Sequence, residues 1–192
     1  MEIKARPTLG FRDAVKLAIS RKMEVKGRSR RSEFWWFMVF MFIVNIVVSI
    51  LTMFSQTLST VVGLLVLLLC VPVTVRRLHD RSHSAWWVYL CFLSVVFINV
   101  YILWSGVIDM MNSVNADLEE IYVSLMTPVY AIPSFIATIT SIAIFIFALL
   151  DSDAMPNKYG ESPKYYIEGN DEPAVSVPDQ PTEDATIDAN SI

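Results

Sequence analysis

At 192 residues the chain has room for one domain, and 54% of it is hydrophobic against 18% charged, which excludes an ordinary soluble fold of this size. The net charge of -4 averages two opposed ends: residues 1–33 hold ten Lys/Arg against four acids, and residues 151–192 hold two Lys against ten acids. The two cysteines, Cys70 and Cys91, lie inside apolar runs rather than at disulfide-rich or metal-site spacings, so nothing argues for an oxidising compartment.

The first segment, 1–33, is basic. In it Phe11, Ala14, Val15, Ala18 and Ile19 recur at helical spacing, with Arg12, Asp13 and Lys16 beside or opposite them. This is the pattern of a short amphipathic helix lying on the inner leaflet with its cations near anionic headgroups. The plainer reading of the same residues is a solvated basic arm that only fixes topology. The first long apolar run begins near Phe34 and exceeds a signal-peptide h-region, so it reads as a retained membrane helix.

Four runs without a charged residue follow, at about 34–54, 58–75, 85–104 and 129–150. Each approaches the roughly 20 residues that cross about 30 Å of hydrocarbon at 1.5 Å per residue. No water in the bilayer interior can satisfy open backbone groups, so each run is predicted to be a helix. The expected fold class is an all-α membrane protein, with four transmembrane helices in a bundle over residues 34–150.

The connections orient the bundle. The 76–84 connection carries Arg76, Arg77 and Arg81, whereas 55–57 and 105–128 carry no Lys or Arg. Placing the basic segments in the cytosol satisfies every loop and predicts cytosolic N- and C-termini. In the outer connection Ile108, Met111, Val114, Leu118, Ile121, Tyr122 and Leu125 share a helical face, so a helix flat on the outer surface is expected until Thr127-Pro128 breaks it. Residues 151–167 form a juxtamembrane segment, and 168–192, rich in Asp, Glu, Pro, Ser and Thr, are expected to be a disordered acidic tail.

Three blocks are more specific than hydropathy. They are Gly27-Arg28-Ser29-Arg30-Arg31-Ser32-Glu33-Phe34-Trp35-Trp36, then Val75-Arg76-Arg77-Leu78-His79-Asp80 running into Ser84-Ala85-Trp86-Trp87, and Pro156-Asn157-Lys158-Tyr159-Gly160. In order and spacing, over roughly residues 26–163, they resemble the bacterial inner-membrane family catalogued as domain of unknown function 805. The resemblance implies a small four-helix inner-membrane protein and carries no established activity.

An even number of crossings brings all three blocks to one membrane face. Arg28, Arg31, Arg76, Arg77 and Arg81 are candidates for binding anionic lipid headgroups or another anion, because guanidinium forks bind phosphate in a bidentate way. Glu33, His79, Asp80, Asn157 and Tyr159 are the expected structural partners in one ionic layer, with Trp35, Trp36, Trp86 and Trp87 as an aromatic belt beneath it. The competing reading is purely structural: Glu33 and Asp80 pair with arginines to lock helix ends.

His79 and His83, four apart, echo a zinc pair, but they sit in a short polar connection without a third ligand or general base, so no metal or cofactor is expected. His79-Asp80 has no nucleophile in recognisable context, so enzymatic activity is not expected. Inside the spans Asn45, Ser49, Asn99 and the stripe Ser134, Thr138 and Ser141 are the notable polar groups, and the stripe is expected to face a neighbouring helix. The spans hold no ionisable carboxylate or cation of the kind that ion-coupled pumps need. The functional expectation is a scaffold or adaptor whose basic face binds membrane lipids or a partner, either a second copy or another membrane protein. The alternative is a small transporter or channel subunit acting as an oligomer. No nucleic-acid partner is expected.

Overall fold

The computed structural model describes residues 3–113 and 117–167. In chain order the elements are β1 (Ile3–Ala5), α1 (Phe11–Ser20), α2 (Arg31–Leu51), α3 (Gln56–Asp80), α4 (Trp86–Trp104), α5 (Val107–Asn112), α6 (Leu118–Leu125), α7 (Pro128–Leu149) and β2 (Tyr165–Ile167). Helices α2, α3, α4 and α7 are each long and apolar enough to cross a membrane. The acidic tail anticipated at 168–192 lies outside the described residues.

Helix α4 packs most extensively on α7, α2 packs on α1 and α3, and α3 joins the two pairs, whereas α2 and α7 make little direct contact. The buried apolar core is gathered in the Arg-rich half. There Phe34, Phe37 and Met41 of α2 meet Val73 of α3, Ala18 of α1 and Ala148 of α7, and Val75, Leu78 and Val88 form a second cluster beside them. Toward the other end the outward side chains stay apolar, among them Ile46, Ile50, Leu65, Phe97 and Ile142. An apolar belt of this extent on all four helices is matched by acyl chains and not by water.

Several elements differ from the sequence expectation. The second span does not stop at Val75: α3 continues to Asp80, so Arg76, Arg77, His79 and Asp80 sit on a helix rather than in a connection. Their charge ends the apolar run but not the hydrogen-bonded backbone. The chain is also not purely helical, because β1 and β2 form a small antiparallel pair, Ile3 opposite Ile167 and Ala5 opposite Tyr165. That pair fastens the N-terminal residues to the segment after α7. In the 105–128 connection the single expected helix is two, α5 and α6, the second capped by Asp117, whose side chain accepts from the Glu119 N–H at 2.9 Å. Pro128 opens α7 at its first turn, where its missing N–H costs nothing.

The hydroxyl stripe of α7 also behaves differently. Ser134 donates to Tyr130 O and Thr138 to Ser134 O, both at 2.8 Å, so these hydroxyls are satisfied by their own helix. The buried face of α7 is instead Ala137, Thr140 and Ala148. Only Ser141 of the stripe reaches a side chain on α4, with its Oγ 3.3 Å from Cys91 Sγ.

Candidate functional site

Adjacent residues on an α-helix project about 100° apart, so Arg76 and Arg77 leave α3 toward different neighbours. Arg76 turns to the arm. Its Nε donates to Ser29 Oγ at 3.0 Å, Nη1 to the carbonyls of Arg21 (2.7 Å) and Glu24, and Nη2 to Glu33 Oε1 at 3.2 Å. Arg77 turns to the end of α7. Its Nη1 pairs with Asp80 Oδ2 at 2.5 Å, while Nε and Nη2 donate to Ala148 O at 3.4 Å and Nη2 also to Leu150 O.

The third guanidinium arrives from the arm. Gly27 adopts φ +84°, a left-handed conformation that favours glycine, and the chain after it runs beneath α3. There the Ser29 N–H donates to Arg76 O at 3.1 Å. Arg28 Nε reaches Asp80 Oδ1 at 2.9 Å, Nη1 reaches Met155 O at 3.0 Å, and Nη2 reaches Asp153 O at 2.6 Å. Asp80 is thus shared between Arg28 and Arg77, one guanidinium on each carboxylate oxygen.

Arg76, Arg77 and Asp80 are 0% exposed and Glu33 is 1% exposed. Three guanidinium groups against two carboxylates leave an excess positive charge in this buried layer. It is met by main-chain oxygens at helix ends: Arg21 and Glu24 just beyond α1, Asp80 O at the end of α3, and Ala148 and Leu150 at the end of α7. The carbonyls of the last turns of α3 and α7 also carry the negative end of the helix dipole. Glu33, in the first turn of α2, complements the opposite pole.

The remaining predicted residues surround this layer. Asn157 Nδ2 donates to His79 O at 2.9 Å, adding a further cap to α3, and the Tyr159 ring stacks on His79 at 3.7 Å between centroids. His79 faces Gly27 O while Asp80 faces arginines, and no hydrogen bond joins the two among the described residues. His83 stacks instead on Phe147 at 3.8 Å. Among the described residues no group of three His, Cys, Asp or Glu could hold a metal.

Arg31 and Arg81 differ from the buried three. Arg31 is exposed, and Arg81, about 30% exposed, pairs with Asp153 while its Nε has no hydrogen-bond partner among the described residues. Trp36 and Trp86 are exposed, whereas Trp35 packs edge-on against Phe145 of α7 at 5.9 Å. Two flanking pairs tie down the periphery. A hydrogen bond from Lys164 holds the Asp151 carboxyl below the usual range, and one from Arg21 does the same for Glu24.

Sequence reasoning did not single out Ser29, Ser152 or Asp153. Ser29 was visible inside its motif, but Ser152 and Asp153 have no periodic or motif signal, because an irregular segment folded under the bundle supplies them.

Beneath the layer, between all four long helices, lies an apolar cavity of about 410 Å³ whose lining includes Trp35, Thr74, Cys70, Cys91, Ser141 and Phe145. Both thiols are free. We expect them to stay unbridged in the membrane as small hydrophobes. Blocking free thiols at lysis and then measuring Cys70–Cys91 linkage in fresh membranes checks this, and a quantitative bridge would contradict it.

The inner membrane protein YhaH of Escherichia coli K12 and the protein of the same name from Escherichia coli O157:H7 are each 34% identical to the chain over 79 residues, 37% of this chain and 65% of theirs. The chain therefore matches just under two thirds of the length of these curated relatives. No solved structure matches it significantly. The family model described as Protein of unknown function (DUF805) matches residues 23–161, a stretch that contains all three motif blocks and the buried layer, and the chain belongs to that family.

Proposed function

We propose that this member of the family is an inner-membrane scaffold or adaptor whose Arg-rich end faces the cytosol and binds anionic lipid headgroups. The observation that carries this reading is the division of labour among the cations. Arg28, Arg76 and Arg77 are buried and engaged with protein acceptors at every nitrogen, so they build the platform. Arg12, Lys16, Lys22, Lys26 and Arg31 are left outward on its rim.

Helix α1 fits an interfacial position. Ala14 and Ala18 are buried, Phe11 packs edge-on against Trp36 at 5.7 Å, and Phe11 and Ile19 remain exposed beside Arg12 and Lys16. Apolar side chains next to cations suit the boundary between headgroups and acyl chains. The YhaH relatives, named as inner membrane proteins, support the location. The transporter alternative has less support, because the central cavity is apolar and offers no polar path along several helices.

Native mass spectrometry after gentle extraction tests the lipid reading. The wild-type chain should retain anionic phospholipid over zwitterionic phospholipid, and the combined Arg12→Gln, Lys16→Gln and Arg31→Gln variant should lose that preference severalfold. Equal retention of both lipid classes by the wild type would overturn it.

Orientation is tested separately. The basic bias of 1–33 and 76–84 puts both termini inside, so a cytosol-active reporter should work when fused after Ser84 or after Asp171 and fail at Asn115. Activity of a periplasmic reporter fused after Asp171 would reverse the assignment.

A further inference from the structure

We propose that the outward face of α2, centred on Asn45, is the contact between two copies of this chain in the membrane. Asn45 lies 11 residues after Phe34. At 1.5 Å per residue that is about 16 Å into a hydrocarbon layer about 30 Å thick, its middle.

Three other polar side chains in the spans are satisfied by their own helices. Asn99 donates to Val95 O, Thr74 to Cys70 O and Thr140 to Ile136 O. Asn45 and Ser49 differ, being exposed on the chain alone and without a hydrogen bond among the described residues. Exposure at this depth means contact with acyl chains, which offer neither donor nor acceptor. A carboxamide carries two donors and an acceptor there, and leaving them open opposes the isolated state.

The surroundings define a seam. Phe42, Asn45 and Ser49 fall at i, i+3 and i+7, the spacing of a helix–helix contact line. Phe42 is 67% and Ile50 61% exposed, whereas the buried residues of α2, Glu33, Phe34, Phe37 and Met41, all lie in its Arg-rich half.

The chemistry selects a second copy over another occupant. A carboxamide is its own complement: across a twofold axis normal to the membrane, each Asn45 N–H meets the partner's carboxamide oxygen and both bonds form at once. Two identically inserted copies bring the group to the same depth automatically. A different membrane protein would need its own donor and acceptor at mid-bilayer. The contact is independent of the lipid-headgroup reading, since it lies at mid-span, away from the cations at the headgroup boundary.

Cysteine crosslinking in native membranes tests this. With Cys70 and Cys91 both replaced by Ala, Ser49→Cys should give an oxidised product of twice the chain mass, and Leu93→Cys, on an exposed position of α4, should not. Adding Asn45→Leu to Ser49→Cys should lower the product about fivefold or more, whereas Asn45→Gln should keep part of it. Leu faces lipid at that site, so the monomer's thermal stability should be unchanged. Equal products from Ser49→Cys and Leu93→Cys, a product indifferent to Asn45→Leu, or an adduct to a different protein would each overturn the proposal.

Discussion

Replacing Asp80 with Ala should destabilise the bundle by about 3–5 kcal/mol, the range found when one member of a buried ion pair is removed and its partner is left charged. The expected value lies toward the top of that range, because Asp80 serves two buried arginines. Arg28 would lose both of its contacts to the carboxylate, at 2.8 and 2.9 Å, and Arg77 its bond at 2.5 Å. Thermal unfolding in detergent measures the loss. Deleting residues 168–192 provides the contrast, since that segment lacks the apolar side chains to join a core and should leave the midpoint in place. Were the two changes to lower the midpoint equally, the ionic layer would be incidental to the fold. Asp80→Asn should fall between, since a carboxamide still accepts a hydrogen bond but leaves the guanidinium charges uncompensated.

The layer also shows what kind of information a linear sequence carries. The four spans were readable because a bilayer demands long uninterrupted apolar runs, and Phe34, Leu58, Ala85 and Leu150 mark limits to within a few residues. The end of α3 was not, because hydropathy falls at Arg76 while the helix runs to Asp80. Burial of Arg76 and Arg77 depends on an arm some 50 residues earlier and on a segment more than 70 residues later. Membership of Arg28, Glu33, Asp80 and Asn157 in one region was readable from topology alone, since an even number of crossings returns their motifs to one face. Which arginine took which partner was not. That choice is set by helix phase and by main-chain carbonyls, and carbonyls leave no trace in residue identity. The strand pair was hidden for the same reason, as two three-residue strands separated by about 160 residues have no periodicity to read.

Replacing Arg76 with Met should act differently from Asp80→Ala, by releasing the arm before the bundle. Met keeps most of the buried stem, so the packing of α3 against its neighbours changes little. What disappears is the guanidinium that joins Ser29 Oγ, Glu33 and the carbonyls of Arg21 and Glu24. Glu33 is then a buried carboxylate without its ion-pair partner, and the chain leaving α1 loses the donor that holds it to α3. Helix α1 has only ten residues and depends on tertiary packing, so local opening is the expected response. Hydrogen exchange of the Phe11–Ser20 amides should accelerate by one to two orders of magnitude, roughly the factor that 1.4–2.8 kcal/mol of local opening free energy represents. Amides in the centres of α4 and α7 should change far less. Adding Glu33→Leu should recover part of the lost protection, because a buried ion pair replaced by apolar groups of similar volume is frequently tolerated where a half-broken one is not. Uniform acceleration across all helices would mean that the arm and the bundle open as one unit, and unchanged exchange in α1 would mean that Phe11, Ala14 and Ala18 hold it without the arginine.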